Sequence, residues 1–517
     1  MAGLQKSRFV LQSRLLFGGS KSASTATAAA SELKPYSEIP GPKGLPLLGN
    51  AIQAFKSVPN VDPDPKNLLK IAPELFKMYG PIMRLEAPGV KMVWLMCPEL
   101  AEKALRAAGP VPRRPGFKAI GYVREKGELF AEAPGLLTAQ GSDWQQFRRQ
   151  VQQPMLRPKS AVGYTEKIEE IAQEFIDSRV RPRRDPKTGE MPEDFLYELY
   201  RWALESVAFI ALNTRLGCFG ADLEAGSEQM EVIDAVRDIF QTNANLDQAL
   251  LQWWRSLPSQ DMRRFLKATE VFQTVTTKYV GQAMRRIAEA QSREDHPGPP
   301  TLLELFAARG CSEQVATVMA LDMIFAGIDT SSHTSAFFLY HLAKNPQVQD
   351  RLREEVTDAL PSADSRLTDK SFDRMPYMKA ALKEVLRMCP PAVANARLVE
   401  EDLELAGYNV PAGTEIATFH YVMGNSPVYV RDPEEFRPER FMKGSPLFEN
   451  LHPFLLLPFG HGPRMCVGRR FAELEVYTFM TKMIQNFKIE WHQDPLEFKV
   501  ATLTYPSTPL RFTLIDN

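Results

Sequence analysis

The chain has 517 residues, 44% of them hydrophobic and 24% charged, an ordinary globular make-up with enough apolar material for a large core. Sixty-two basic residues against 63 acidic ones leave a formal charge of −1, which excludes a chain built to coat nucleic acid. Five cysteines, Cys97, Cys218, Cys311, Cys389 and Cys466, are odd in number and never form a C-x-x-C pair. Neither a disulfide framework nor a zinc ribbon is indicated; a reducing compartment fits, with one thiol available for reaction or ligation.

Residues 1–31 carry Lys6, Arg8, Arg14 and Lys21 and no acidic residue, and Gly18 to Ser31 are almost wholly Gly, Ser, Ala and Thr. Basic, acid-free and Ser-rich is the make-up of an organelle transit peptide; the alternative is a disordered tail without an address. Without those four cations the remainder holds 58 basic and 63 acidic residues, a net of −5. No run of about 18 apolar residues occurs, so a membrane anchor is not expected. Residues 32–50 follow, with Pro35, Pro40, Pro42 and Pro46 among Gly41, Gly44 and Gly49. The glycines suggest a phosphate loop, but the prolines forbid the strand-turn-helix it needs. A stiff hinge leading onto the folded body is expected instead. From 51 to 517 there is no repeat or long charge run, and the most linker-like stretch, Ser292 to Pro300, is only a loop in length. Length alone predicts several domains, but one domain over 51–517 is expected.

Helical periodicity dominates from about Lys66 to Met388. The best-marked helix runs from Ser312, a capping residue, to Ala343 and is apolar on nearly every face, so it is expected to cross the core. Asn345-Pro346 cap another helix, ending near Leu360. A third spans about Tyr377 to Met388 and stops at Cys389-Pro390-Pro391. Asp402 to Tyr408 and Glu415 to His420, separated by the turn-rich Asn409 to Gly413, read as β-hairpin material. A last amphipathic helix starts near Cys466 and ends near Phe487, and strands close the chain. The fold class is mainly α with a smaller β-rich region.

Pro458 to Arg470 read PFGHGPRMCVGRR. Cys466 therefore sits where a Gly-rich loop turns into a helix, whose unpaired N–H groups and partial positive charge favour a thiolate. Gly462 and Gly468 let backbone approach on either side of the sulfur. Phe459 supplies an aromatic wall and Arg464 a fork for a carboxylate. A lone thiolate without a second protein ligand suits iron held by a macrocycle better than zinc. Any one of these residues alone would read as a structural Cys beside a loop.

Phe459, Gly462, Arg464, Cys466 and Gly468 fill F-x-x-G-x-R-x-C-x-G, which resembles the haem-binding loop of the cytochrome P-450 monooxygenases. Two further motifs are similar to the family's. Glu384 and Arg387 form a helical E-x-x-R, and Phe436-Arg437-Pro438-Glu439-Arg440-Phe441 looks like its meander, with Arg440 completing a structural triad. Alone, the E-x-x-R is a surface pair. Ala326-Gly327-Ile328-Asp329-Thr330-Ser331 sits in the long apolar helix, where a carboxylate and a hydroxyl are costly. Gly327 leaves room for a small molecule against the backbone, and Thr330 is able to bond back to a carbonyl one turn earlier. By itself the motif reads as a kink with a satisfied polar pair. The resemblance implies an oxygen-activating groove, with Thr330 steadying the reacting oxygen and Asp329 feeding protons through water. His333 reads as a polar core residue; His452 and His461 are unassigned.

The resemblance covers roughly Pro35 to Asn517, is strongest from Ser312 onward, and implies the cytochrome P-450 fold with haem b as cofactor. Cys466 would ligate the iron. Trp144 and Arg148, matching the family's W-x-x-x-R, together with Arg397 and Arg464 would serve the haem propionates. Lys379 and Lys383, with Arg469 and Arg470, form two basic doublets that resemble those of the mitochondrial class; a solvated helix face is the plainer reading of the lysines. That class takes electrons from an adrenodoxin-like ferredoxin with its reductase, and docking of that acidic partner is the doublets' implied role. The expectation is a monooxygenase at the matrix side of the inner mitochondrial membrane, in peripheral contact with it, that hydroxylates a sterol-like or xenobiotic lipophile with O2. The alternatives are a haem-thiolate isomerase or dehydratase, disfavoured by the Asp329-Thr330 pair, and a non-catalytic haem sensor.

Overall fold

Between Lys66 and Met388, where helical periodicity dominates, the chain also forms two strands that the sequence reading passed over. The computed structural model describes residues 33–517 except 46, 221–222, 224–225, 258, 293–300 and 363–364. The expected transit peptide, Pro46 of the Pro-rich segment and nearly all of the linker-like Ser292–Pro300 stretch lie outside the described residues. The chain divides into two compact units, the first comprising residues up to Pro115, Ala392–Glu435 and Glu449–Met465, the second the remainder. Each is drawn from segments far apart in sequence.

In the first unit, helices α1 (Leu68–Tyr79) and α2 (Pro98–Ala107) flank strands β1 (Ile82–Ala87) and β2 (Val90–Leu95). Pro88-Gly89 turns β1 antiparallel onto β2, pairing Ala87 with Val90, and Gly89 supplies the positive φ of 74°. Later in the chain come β3 (Asn395–Leu398), β4 (Leu403–Leu405), β5 (Tyr408–Val410) and β6 (Glu415–Thr418). The main sheet has the order β1-β2-β6-β3, with β6 parallel to β2 and antiparallel to β3. Met83, Leu85 and Trp94 pack on one face with Leu75, Phe76 and Phe419; Ile82, Val93, Leu95 and Ile416 pack on the other. Both faces are buried, which obscures the alternation that marks a half-exposed strand.

The expected hairpin is corrected. β4 pairs with β5 through Ala406 (φ 53°) and Gly407 (φ 79°), the two left-handed residues of a tight turn, while Glu415–Thr418 joins the other sheet. The Pro-rich segment runs along β1: Arg84 N–H donates to Pro40 O (2.8 Å), Asn50 N–H to Glu86 O (3.0 Å), and Asn50 Nδ2 to Pro42 O (2.9 Å). Its glycines permit this contact, since a Cβ on Gly41 would stand 2.5 Å from Arg84 O.

The second unit holds α3 (Gly141–Leu156), α4 (Phe195–Leu212), α5 (Glu228–Gln248), α6 (Gln260–Ser292), α7 (Glu313–Lys344), α8 (Pro346–Ala359), α9 (Pro376–Met388) and α10 (Arg469–Asn486). Two small antiparallel pairs complete it: β7 (Phe487–Glu490) with β10 (Thr513–Asp516), and β8 (Phe498–Val500) with β9 (Thr504–Pro506). Ser312 caps α7, its hydroxyl accepting from Val315 N–H at 3.2 Å. Among the described residues α7 alone is long and apolar enough to cross a membrane, yet 83% of its most apolar window is buried in the unit, as a core-crossing helix requires. Asn345 does not cap α8 with its side chain. Its Nδ2 donates backwards to His341 O (2.7 Å), serving the open carbonyl end of α7 instead.

Candidate active site

α10 begins at Arg469, three residues beyond Cys466, with Gly468 at its N-cap. Cys466 is the one exposed cysteine among the five. Protein nevertheless crowds it on enough sides for burial to push its thiol pKa up, and four influences oppose that rise: the N–H groups of Gly468 and Arg469 bonding to the sulfur, and the positive charges of Arg148 and Arg469. A Cβ on Gly468 would stand 4.0 Å from Sγ, in van der Waals contact. Gly462 does a different job from the one expected. Nothing lies within 4 Å of where its Cβ would be, so its value is the positive φ of 70° that turns the loop.

Trp144 and Arg148 lie one turn apart on α3 and both are buried. Arg148 Nε reaches Gln152 Oε1 at 3.4 Å, and burial lowers its pKa. In the first unit, Arg397 on β3 is buried and donates to the carbonyl oxygens of Ala396 (2.7 Å) and His461 (3.2 Å). Burial first, and then the Arg114 charge, lower its pKa to about 10. Arg464 Nε donates to Pro112 O (2.9 Å), and Phe459 is half-buried. Among the described residues neither Arg148 nor Arg397 pairs with a carboxylate, and no group of three or more His, Cys, Asp or Glu is placed to hold a metal. Within the second unit, a single thiol at Cys466 and the buried cation of Arg148 without a carboxylate partner suit an iron macrocycle bearing carboxylates.

Between Val315 and Leu339 the only positions of α7 that are not buried are Ala326, Gly327 and Thr330, which share one face. Thr330 Oγ1 donates to Ala326 O at 2.6 Å, the back-bond its position predicts. Asp329 beside it is buried, its Oδ1 has no hydrogen-bond partner, and burial pushes its pKa up to about 7 against the opposing Arg237 charge. Gly327 corrects a second expectation. A Cβ there would stand 2.6 Å from Val207 Cγ2, so the missing side chain admits α4 rather than a small molecule. His333 is a core residue, as expected: its Nε2 lies 2.8 Å from Tyr200 Oη, and burial lowers its pKa to about 3.

The sequence reading missed Glu475. It lies on the buried face of α10 with Phe471, Leu474 and Phe479, and Ser331 Oγ donates to its Oε2 at 2.7 Å. Burial raises its pKa to about 8, and its Oε1 has no partner. The signal was a carboxylate at an apolar position of the α10 pattern.

Glu384, Arg387 and Arg440 do come together. Arg387 bonds Glu384 through Nε (2.8 Å) and Nη2 (2.9 Å), Arg440 Nε adds a third contact (2.8 Å), and the backbone N–H of Arg437 a fourth (2.9 Å). All three side chains are fully buried. The basic doublets are accessible: Lys383 and Arg470 are exposed, Lys379 lies 3.5 Å from Asp373, and Arg469 and Arg470 both reach Glu473.

Residues 39–514 match the family model described as Cytochrome P450. The chain is 34% identical over 488 residues to "Probable cytochrome P450 301a1, mitochondrial" of Drosophila melanogaster, covering 93% of this chain and 87% of that one. It is 33% identical over 508 residues to "Probable cytochrome P450 49a1" of the same species, covering 95% and 85%. To "Probable cytochrome P450 12a5, mitochondrial", also of that fly, it is 33% identical over 504 residues, covering 94% and 92%. The chain belongs to the cytochrome P450 family. It is a haem-thiolate monooxygenase, with haem b as its cofactor and the mainly helical fold of that family.

Proposed function

We propose that this enzyme is a mitochondrial monooxygenase that hydroxylates a lipophilic substrate, sterol-like or xenobiotic, with O2 and electrons from an adrenodoxin-like ferredoxin served by its reductase. One observation carries the reading: a lone accessible thiol at a helix start, where two backbone N–H groups and the charges of Arg148 and Arg469 oppose the rise in pKa that burial causes. Cys466 is assigned as the iron ligand, Phe459 and Gly468 as further haem-binding residues, and Trp144, Arg148, Arg397 and Arg464 as partners for the haem carboxylates. When bound, haem supplies the activation of dioxygen, and a thiolate ligand favours O–O cleavage.

The chain's own residues supply position and protons. Thr330 Oγ1, fixed by Ala326 O, presents a hydroxyl on the accessible strip of α7. Asp329, with a pKa near 7, is able to take up and give back a proton at Oδ1 close to neutrality. Burial within α7 keeps water from Asp329, whereas Thr330 stays accessible. Glu384, Arg387 and Arg440 act structurally, locking the core beneath α9.

Several mitochondrial names among the relatives, the composition of residues 1–31 and the basic doublets support the compartment and the electron donor. Peripheral contact with the matrix side of the inner membrane is part of the same proposal. The reduced, carbon monoxide-bound protein is expected to show the strongly red-shifted Soret band of thiolate ligation, absent in C466S; a histidine-like spectrum overturns the assignment. K379Q/K383Q is expected to weaken ferredoxin-driven turnover and spare peroxide-driven turnover. Equal loss of both removes the docking claim.

A further inference from the structure

Two tyrosines and a histidine form a column in the second unit that the chemistry above leaves unused. Tyr200 on α4 is buried, and its Oη lies 2.8 Å from Nε2 of His333, one turn beyond Asp329 on α7. Tyr197, one turn earlier on α4, is half-buried and meets the Tyr200 ring edge-on, with centroids 6.3 Å apart. Its own Oη donates to Asp234 Oδ1 of α5 at 3.0 Å, and that carboxylate is exposed. Arg237 of α5 lies over both rings, 5.7 Å from the Tyr197 centroid and 5.5 Å from that of Tyr200. Two phenols thus stand in series from the buried side of α7 to the surface, each hydrogen-bonded to a base.

Satisfying buried polar groups does not account for the inner pair. Phe and Leu would fill the same space without needing partners, and His333 Nδ1 still has none. What the pairs suit is oxidation of a phenol, which is easy only when the O–H proton leaves with the electron. A positive charge left on either ring would be costly in an apolar setting, and the Arg237 cation over both rings opposes it further. Neither phenol ionises beforehand. Burial first, and then the charge of Asp329 for Tyr200 and of Asp234 for Tyr197, raise their pKa values. His333, kept neutral by burial, accepts at Nε2 when its ring proton is on Nδ1.

We infer that Tyr200 and Tyr197 form a one-electron escape route that drains oxidising equivalents from the haem when no substrate consumes them. The oxidant is the haem after O–O cleavage, which the monooxygenase activity supplies. Tyr200 gives it an electron and passes the O–H proton to His333 Nε2, leaving a neutral phenoxyl radical and an imidazolium. Tyr197 then gives an electron to Tyr200, which takes its proton back from His333, while the Tyr197 proton passes to Asp234. At the surface a one-electron reductant in solution, a thiol or an enediol such as ascorbate, reduces Tyr197, which recovers its proton from Asp234. Each pass moves one electron inward and restores all four side chains. The inward direction rests on the reading of the Ala326–Thr330 strip as the reacting surface; the two phenol–base pairs do not.

Substrate-free ferric holoenzyme, mixed with a peracid and rapidly frozen, is read by electron paramagnetic resonance. A tyrosyl radical is expected, and Y200F and H333Q are each expected to lower its yield several-fold. Y197F is expected to leave the radical on Tyr200 and lengthen its life several-fold, and ascorbate is expected to quench it faster in the unmodified protein than in Y197F. Haem bleaching under peracid is expected to be several-fold faster in Y200F, with the carbon monoxide-bound Soret band unchanged. An undiminished signal in Y200F overturns the route. So does equal decay in Y197F and the unmodified protein, a surface variant that decides the matter even where Y200F fails to fold. A Tyr200 radical alongside full turnover in D329N would sink the strip reading and leave the route standing. No radical alongside lost turnover in D329N would remove the route alone.

Discussion

Replacing Glu384 by Gln tests how much a buried ionic knot contributes to this fold. One carboxylate accepts four hydrogen bonds, three from Arg387 and Arg440 and one from the Arg437 backbone. Charge-assisted bonds contribute ~1.5–3 kcal/mol each and neutral ones ~0.5–1.5, so loss of the charge costs roughly 1 kcal/mol per bond. The Gln amide also turns an N–H toward an arginine N–H, and the buried Arg387 and Arg440 lose the charge of Glu384. About 4 kcal/mol is expected, within the range of ~3–5 for breaking a buried pair. Against a total stability of ~5–15 kcal/mol that is a large fraction. Urea unfolding followed by circular dichroism and by tryptophan fluorescence measures it. A loss under ~1 kcal/mol, as for an exposed ion pair, would refute the reasoning.

G327A is expected to destabilise by about 1–3 kcal/mol through overpacking against Val207, although Ala normally improves a helix, and V207A is expected to restore most of the loss in a thermal melt. Glu475 is held protonated by burial, with a folded pKa of about 8 above its ordinary 4.5. Its contribution is therefore fully present below pH 4.5 and lost as pH rises through 8, up to roughly 5 kcal/mol. E475Q is expected to flatten that slope in denaturation curves taken from pH 5 to 8.5, and an unchanged slope counts against it. D329N removes the proton-holding carboxyl, and product formation is expected to fall about a hundredfold with a smaller effect on substrate-induced spectral shifts. Full turnover in D329N would show that the proton travels elsewhere.

The sequence disclosed those parts of the fold whose signals are local. Ser312 before a long apolar run, the Pro346 and Pro390 breaks and the loop around Cys466 each depend on residues within a few positions of one another, and each lies where the pattern put it, apart from a three-residue shift at the start of α10. The misses were set by distant partners. β1 and β2 have both faces covered, so alternation fades into a general apolar character. Glu415–Thr418 finds its neighbours in β2 and β3 rather than in the nearby strands. Gly327 needed Val207, and Glu475 needed Ser331, to acquire a meaning. Trp144 and Arg148 were legible as a spacing, but the burial of Arg148 with no carboxylate partner among the described residues was not.

The parallel pairing of β2 with β6 joins Met92 to Glu415, about 320 residues later. Closing so long a loop costs on the order of 5 kcal/mol of chain entropy before any contact repays it. At synthesis rates of roughly 5–20 residues per second, β2 waits at least ~15 s with one edge unpaired. The first hundred residues therefore emerge as a domain half-finished by design, dependent on chaperoning or on delayed collapse until the far segment arrives. A process that threads this chain through a narrow opening while synthesis is under way finds its leading part still without a completed sheet to unravel.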